Sequence, residues 1–192
     1  MKRVLGLLAV RLALGCAPED VIVADVPVEA GSPQTQPCVG DQDCSPGSYC
    51  QRSACSDVVG QCAIKPLFCD NDPHPECGCD GVTYWNSCLR KLAGITAGAA
   101  GQCELQAQAA TCGGPSGVAC PDGGVCARLY HGMCDPDGRG TCWVMPTSCP
   151  DGGPPGPRWA ACGPPNQACI DTCTAIASEL PFRDLPPKAC PP

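Results

Sequence analysis

Residues 77–88 read CGCDGVTYWNSC, and this stretch decides how the chain around it folds. Asp80-Gly81 is typical of a tight turn, and the β-branched and aromatic residues 82–85 favour a strand, so we expect a short hairpin. The next segment, Ser87–Ala93 (SCLRKLA), has good helix formers and is followed by Gly94, which predicts about two helical turns. A helix this short is not stable alone and needs support from its surroundings.

Cysteine dominates the composition, with 21 of 192 residues, beside 23 glycines and 23 prolines. Only eight residues are aromatic, so we expect disulfides to stabilise the chain more than a large apolar core does. This composition argues against an ordinary cytosolic enzyme and against a long-helix protein. The formal net charge is -7 and no basic stripe is present, so nucleic acid is not an expected partner.

The cysteines that follow residue 37 fall into two sets of ten with similar spacing. Residues 44–50 (CSPGSYC) match residues 120–126 (CPDGGVC), and a Gly-x-Cys ends at Cys62 in the first set and at Cys142 in the second. The repeat predicts two tandem cysteine-rich modules, each with up to five disulfides. The predicted bounds are 38–103 for module 1, 104–111 for the linker and 112–192 for module 2.

Zinc is the rival explanation for so many cysteines. No C-x2-C spacing occurs, and His74 and His131 stand apart from any paired cysteines, so we expect no metal and no cofactor. Two histidines in Gly/Pro-rich loops also give little basis for a catalytic triad. We therefore do not expect an enzyme.

The first residues indicate export. Residues 1–15 (MKRVLGLLAVRLALG) join basic residues to a short apolar stretch, which is typical of a signal peptide. Residues 12–16 (LALGC) resemble a bacterial lipobox, in which a small residue precedes a cysteine that becomes lipid-modified. That resemblance implies a lipoprotein of the bacterial outer membrane or cell surface that contacts the membrane only through Cys16. An ordinary signal peptide and free secretion are the alternative.

Two further observations bear on this region. With Cys16 acylated, 20 cysteines remain, the even number that complete pairing requires. The segment at residues 16–37 is rich in proline and acidic residues and has no cysteine after Cys16, so it is predicted to be a disordered tether.

Residues 77–88 also resemble the signature C-G-x-D-G-x-T-Y-x-N-x-C of Kazal-type serine protease inhibitor domains. The seven residues between Cys69 and Cys77, the ten between Cys77 and Cys88, and a closing Gly-x-Cys at Cys103 agree with that family. The resemblance implies that residues 62–103 form a small α+β domain with a short antiparallel sheet and one helix. The C-G-C-D-G variant looks like that of exported bacterial proteins. Residues 142–190 lack the D-G-x-T-Y segment and are predicted to be a degenerate copy.

The resemblance also implies a disulfide pattern. It implies the bridges Cys69–Cys88 and Cys77–Cys103. The chain lacks the fifth cysteine of the family pattern and has one cysteine, Cys79, that the pattern does not include. We expect Cys62–Cys79 as the substitute third bridge. In module 2 the same pattern implies Cys142–Cys173, Cys149–Cys169 and Cys162–Cys190. The pairing within the first four cysteines of each module stays open, with three connectivities for Cys38, Cys44, Cys50 and Cys55 and the same for Cys112, Cys120, Cys126 and Cys134.

By the same resemblance, Asn71 is the specificity residue of a protease-binding loop, Asn71–Asp72 is the reactive bond, and Asn86 supports the loop. The first hypothesis is therefore a substrate-like inhibitor whose partner is a serine protease. Asparagine is a poor specificity residue for trypsin-like or chymotrypsin-like pockets, and Pro73 has no backbone N–H to offer a protease. The alternative is a non-inhibitory extracellular binding module or surface structural module.

Overall fold

Short strands and disulfides make up most of the folded chain. The computed structural model describes residues 36–104, 109–121, 123–135, 138–150, 157–163 and 168–184, so the predicted signal peptide, Cys16 and most of the tether lie outside the described residues. The strands are β1 (Pro37–Cys38), β2 (Ser48–Gln51), β3 (Gly60–Ile64), β4 (Glu76–Gly78), β5 (Thr83–Tyr84), β6 (Ala97–Ala100), β7 (Thr111–Gly113), β8 (Val125–Ala127), β9 (Leu129–Tyr130), β10 (Arg139–Val144), β11 (Trp159–Ala161), β12 (Ala168–Ile170) and β13 (Phe182–Asp184). The helices are α1 (Ser87–Ala93) and α2 (Thr172–Ala177).

The strands form three sheets. The first has the order β1-β3-β2 and is antiparallel. The second has the order β6-β4-β5-β10-β7, with β8 also paired to β10, and its β5–β10 contact is parallel. The third has the order β12-β11-β13-β9. The fold is therefore that of a small disulfide-rich protein, mostly β with two short helices.

The hairpin and the helix predicted around residues 77–88 are both present. Strands β4 and β5 pair antiparallel, and Gly81 lies in their connecting turn with a φ of 78°. Helix α1 has the predicted bounds and ends at Gly94, whose φ of 82° is the left-handed conformation that favours glycine.

Nine disulfides join described cysteines, and each joins two cysteines of the same predicted module. Cys69–Cys88 and Cys77–Cys103 are present, as the resemblance implied. The others are Cys38–Cys50, Cys44–Cys62, Cys55–Cys79, Cys112–Cys126, Cys120–Cys142, Cys134–Cys162 and Cys149–Cys173. In both sets the first cysteine pairs with the third, the second with the fifth and the sixth with the ninth. So many disulfides indicate an extracytoplasmic protein.

The pairing Cys62–Cys79 was wrong. Cys62 lies in β3 directly opposite Cys50, where the hairpin β2–β3 places it beside the loop that carries Cys44. Cys79 is exposed just after β4 and pairs with Cys55, so the extra bridge starts one cysteine earlier than predicted.

The three pairings predicted for module 2 were also wrong. Cys142 lies in β10 opposite Cys126 and pairs with Cys120, because the second set repeats the hairpin framework of the first. Cys149 pairs with Cys173, at the start of α2, rather than with Cys169, which is also disulfide-bonded. Cys162 pairs with Cys134 and is not available for Cys190, which lies outside the described residues.

The sheet and the core both extend across the two cysteine sets. Trp143 and Val144 of β10 pair in parallel with Thr83 and Tyr84 of β5. Trp85 is 1% exposed and belongs to the same buried cluster as residues of the second set, including Trp143, Ile176 and Phe182. The described residues lie in one compact unit, and none of their helices is long and apolar enough to cross a membrane.

Candidate functional site

Helix α1 supports the loop at residues 69–77 through a buried amide. The side chain of Asn86, 4% exposed, accepts a hydrogen bond from the backbone N–H of Leu89 (2.9 Å) and thereby caps the helix. Its Nδ2 donates to the backbone carbonyls of Asp70 (3.0 Å) and Asp72 (3.2 Å). Asn86 therefore binds the carbonyls on both sides of Asn71, the predicted specificity residue.

Exposure alternates along residues 68–75, as it does along an extended strand with one face towards the protein. The exposed residues are Phe68, Asp70, Asp72 and His74. The half-buried residues are Cys69, Asn71, Pro73 and Pro75. The predicted specificity residue, Asn71, therefore lies on the inward face of this segment.

Two polar groups of Asn71, its side-chain Nδ2 and its backbone carbonyl, bind within the protein. Its side-chain Nδ2 donates to the carbonyl of Ser148 (3.0 Å), in the second cysteine set. Its backbone carbonyl accepts a hydrogen bond from Nε1 of the buried Trp85 (2.8 Å). The backbone N–H of Trp85 in turn donates to the carbonyl of Val144 in β10 (3.0 Å), so the second set holds the loop from two directions.

An ion pair between the buried Arg90 and the half-buried Glu76 holds the far end of the loop. Nε of Arg90 in α1 lies 2.8 Å from Oε2 of Glu76, the first residue of β4. Arg90 is buried, and its guanidinium also donates to the carbonyl of Ile95. A buried charge needs such partners, so this pair positions helix, loop and strand together.

The segment before the loop exposes three large apolar side chains. Ile64, Leu67 and Phe68 are 71%, 86% and 90% exposed. We call these three residues the apolar ledge. The ledge was not predicted, because large apolar side chains are usually buried and no local signal in the sequence marks these three as exposed. Its exposure follows from the bridge Cys69–Cys88, which ties this stretch to α1 at the surface.

The predicted reactive bond Asn71–Asp72 lies within this loop, with Asp72 exposed and Asn71 half-buried. The remaining candidate groups have other partners. His131 lies 3.6 Å from Asp184, and both side chains are well exposed. Two groups of cysteine sulfurs are close enough to share a metal ion, but all of these cysteines are in disulfides: Cys38, Cys44 and Cys62, and Cys112, Cys120 and Cys142.

No protein-family model matches the chain, and a search of curated proteins finds no match.

Proposed function

We propose that the protein is an exported, Kazal-like binding module that does not inhibit proteases through the loop at residues 69–77. The observation that carries this proposal is the inward engagement of Asn71 with Ser148 and Trp85. A substrate-like inhibitor presents the specificity side chain to a pocket and the reactive carbonyl to an oxyanion hole. Here both groups must first leave their partners, so the loop is not preorganised for that use.

The hydrogen bond from Trp85 makes this rearrangement of the loop costly. If the carbonyl of Asn71 moves into a protease, the indole N–H of a residue that is 1% exposed loses its acceptor. An unsatisfied buried donor costs about 1–3 kcal/mol, which is about fivefold to 150-fold in affinity. Pro73 adds to this cost, because it has no N–H with which to bind the protease backbone.

The support by Asn86 favours a second candidate function, substrate-like inhibition. Its hydrogen bonds to the carbonyls of Asp70 and Asp72 hold the residues on either side of Asn71, and Cys69–Cys88 fixes the base of the loop. In this alternative the contact with Ser148 opens when a protease binds.

Titration of the oxidised protein with subtilisin-like, elastase-like, chymotrypsin-like and trypsin-like enzymes separates the two functions, with product masses read at each step. We expect no stoichiometric inhibition and an intact Asn71–Asp72 bond. One-to-one inhibition with a single slow cut after Asn71 would overturn the proposal. Asn86→Ala is the matched control, because an inhibitor that loses this support becomes a rapidly cut substrate.

We further propose that Cys16 carries a lipid anchor, on the strength of the resemblance of residues 12–16 to a lipobox. The test is to express the chain with its own N-terminal segment and to compare it with Cys16→Ser. The original chain should be found in the membrane fraction with an acylated N-terminal peptide, and the variant in the soluble exported fraction. Equal distribution of the two proteins would refute the anchor.

A further inference from the structure

We propose that the apolar ledge, together with Asp70 and Asp72, binds a cationic, apolar segment of a partner protein. This inference rests on the binding role proposed above and names the surface and the chemistry of its partner. Leu67 and Phe68 of the ledge precede Asp70 in the chain, with only Cys69 between, and these residues and Asp72 are all exposed.

The ledge is held in place although it is exposed. The backbone N–H of Lys65 donates to the carbonyl of Gly47 (2.8 Å). The bridges of Cys62 and Cys69 close the chain on either side of the ledge. A surface ordered before binding loses little conformational entropy when a partner arrives. Exposed aromatic side chains on such a surface are typical anchors of protein interfaces.

The charges beside the ledge define the partner. Asp70 and Asp72 lie two residues apart, on either side of the half-buried Asn71, and both are exposed, as Phe68 is. One carboxylate oxygen of Asp70 also accepts hydrogen bonds from the backbone N–H of Asp72 and from Nδ2 of Asn86, both 3.2 Å long. Apolar side chains of a partner would therefore pack on the ledge while its Lys or Arg side chains meet the carboxylates. An anionic membrane would be repelled by the same two groups.

The test uses synthetic peptides as probes and the oxidised protein as it exists. The first probe is an amphipathic peptide of leucine and lysine, the second has its leucines replaced by serine, and the third has its lysines replaced by glutamate. We expect measurable binding of the first probe only, weakened by added salt. Phe68→Ser and the double variant Asp70→Asn with Asp72→Asn should each weaken it by about tenfold or more.

Two exposed residues elsewhere provide matched controls. Met133→Ser removes an apolar side chain that is 91% exposed, and Glu104→Gln removes an exposed carboxylate. Both controls should bind the leucine–lysine peptide as the original protein does. Because the Asp70 carboxylate also accepts hydrogen bonds from the backbone N–H of Asp72 and from Nδ2 of Asn86, the single variant Asp72→Asn is measured as well, and non-reducing disulfide mapping checks that the disulfides are intact.

Any of four other outcomes would contradict the proposed binding surface. They are no binding to the original protein, unchanged binding by Phe68→Ser, an equal loss in the control variants, or Phe68-dependent binding to anionic phosphatidylglycerol vesicles. Each of these leaves the proposed function standing if the protease titration shows no inhibition. Stoichiometric cleavage after Asn71 would instead remove the proposed function, whatever the peptides do.

Discussion

The indole N–H of Trp85 donates a 2.8 Å hydrogen bond to the backbone carbonyl of Asn71, although these residues are 14 apart in the chain. Trp85 belongs to the signature of residues 77–88, whereas Asn71 belongs to the loop that the signature supports. The same tryptophan is bonded to β10 of the second cysteine set. The conformation of the loop is therefore set by both cysteine sets.

We expect Trp85→Phe to loosen the loop. The substitution keeps an aromatic ring in the core but removes the donor to Asn71, at a cost of about 1 kcal/mol or more. Amide hydrogen exchange across residues 69–77 should become about tenfold faster. Trp159→Phe is the control, since it removes an indole donor to Thr172 and should leave this loop unchanged. Equal exchange in all three proteins would show that the bond does not hold the loop.

We expect Asn86→Ala to destabilise the protein more than the loss of a helix cap alone. Asn86 caps α1 and also donates to two loop carbonyls, so about 2–4 kcal/mol of unfolding free energy should be lost. Asp171→Ala is the comparison, since Asp171 caps α2 and its loss should cost about 1–2 kcal/mol. Denaturant unfolding with the disulfides intact measures both, and similar losses would count against the double role of Asn86.

We expect disulfide mapping to find Cys55 joined to Cys79 and Cys44 joined to Cys62. The double variant Cys55→Ser with Cys79→Ser should lose about 2–5 kcal/mol of unfolding free energy. Removal of Cys38–Cys50 should cost about 0.6 kcal/mol less, because its cysteines are 12 residues apart rather than 24. A peptide in which Cys62 is linked to Cys79 would contradict this disulfide pairing.

We expect acid to weaken the cap of α2. Partial burial raises the pKa of Asp171, but hydrogen bonds from the backbone and side chain of Thr174 outweigh it and hold the pKa below its usual value. The folded state therefore binds the proton less tightly than the unfolded chain does. This contribution to stability is complete above about pH 4 and is lost as the pH falls further. Below that pH, the unfolding free energy of Asp171→Asn should fall less steeply than that of the original protein. If the two proteins lose stability in parallel as the pH falls, Asp171 is not the group responsible.

Local sequence predicted the parts of the fold that local chemistry determines. The turn at Asp80-Gly81 and the glycine after α1 place the hairpin and the helix within a residue or two of where they lie. The spacing of Cys69, Cys77 and Cys88 likewise indicated two bridges, by resemblance to a known pattern.

The remaining features depend on contacts that are distant in the chain. Asn71 turns inward because Ser148, 77 residues later, accepts its side-chain hydrogen bond. Cys62 of β3 pairs with Cys44 because the pairing of β2 with β3 places Cys62 beside the loop that carries Cys44. The spacing of the cysteines along the chain does not reveal this contact. Phe68 is apolar, yet it is 90% exposed, and its neighbour Cys69 is joined to Cys88 of α1 by a disulfide.

Each described disulfide stays within its own cysteine set, while β5 and β10 join the two sets by backbone hydrogen bonds. Under a pulling force, the overlapping covalent loops from Cys38 to Cys103 can lengthen very little. The parallel contact between β5 and β10 has no such covalent limit and would yield first. If the chain is tethered at one end to a surface, a pulling force would therefore separate the two cysteine sets before either set unfolded. The separation would expose Trp85 to solvent.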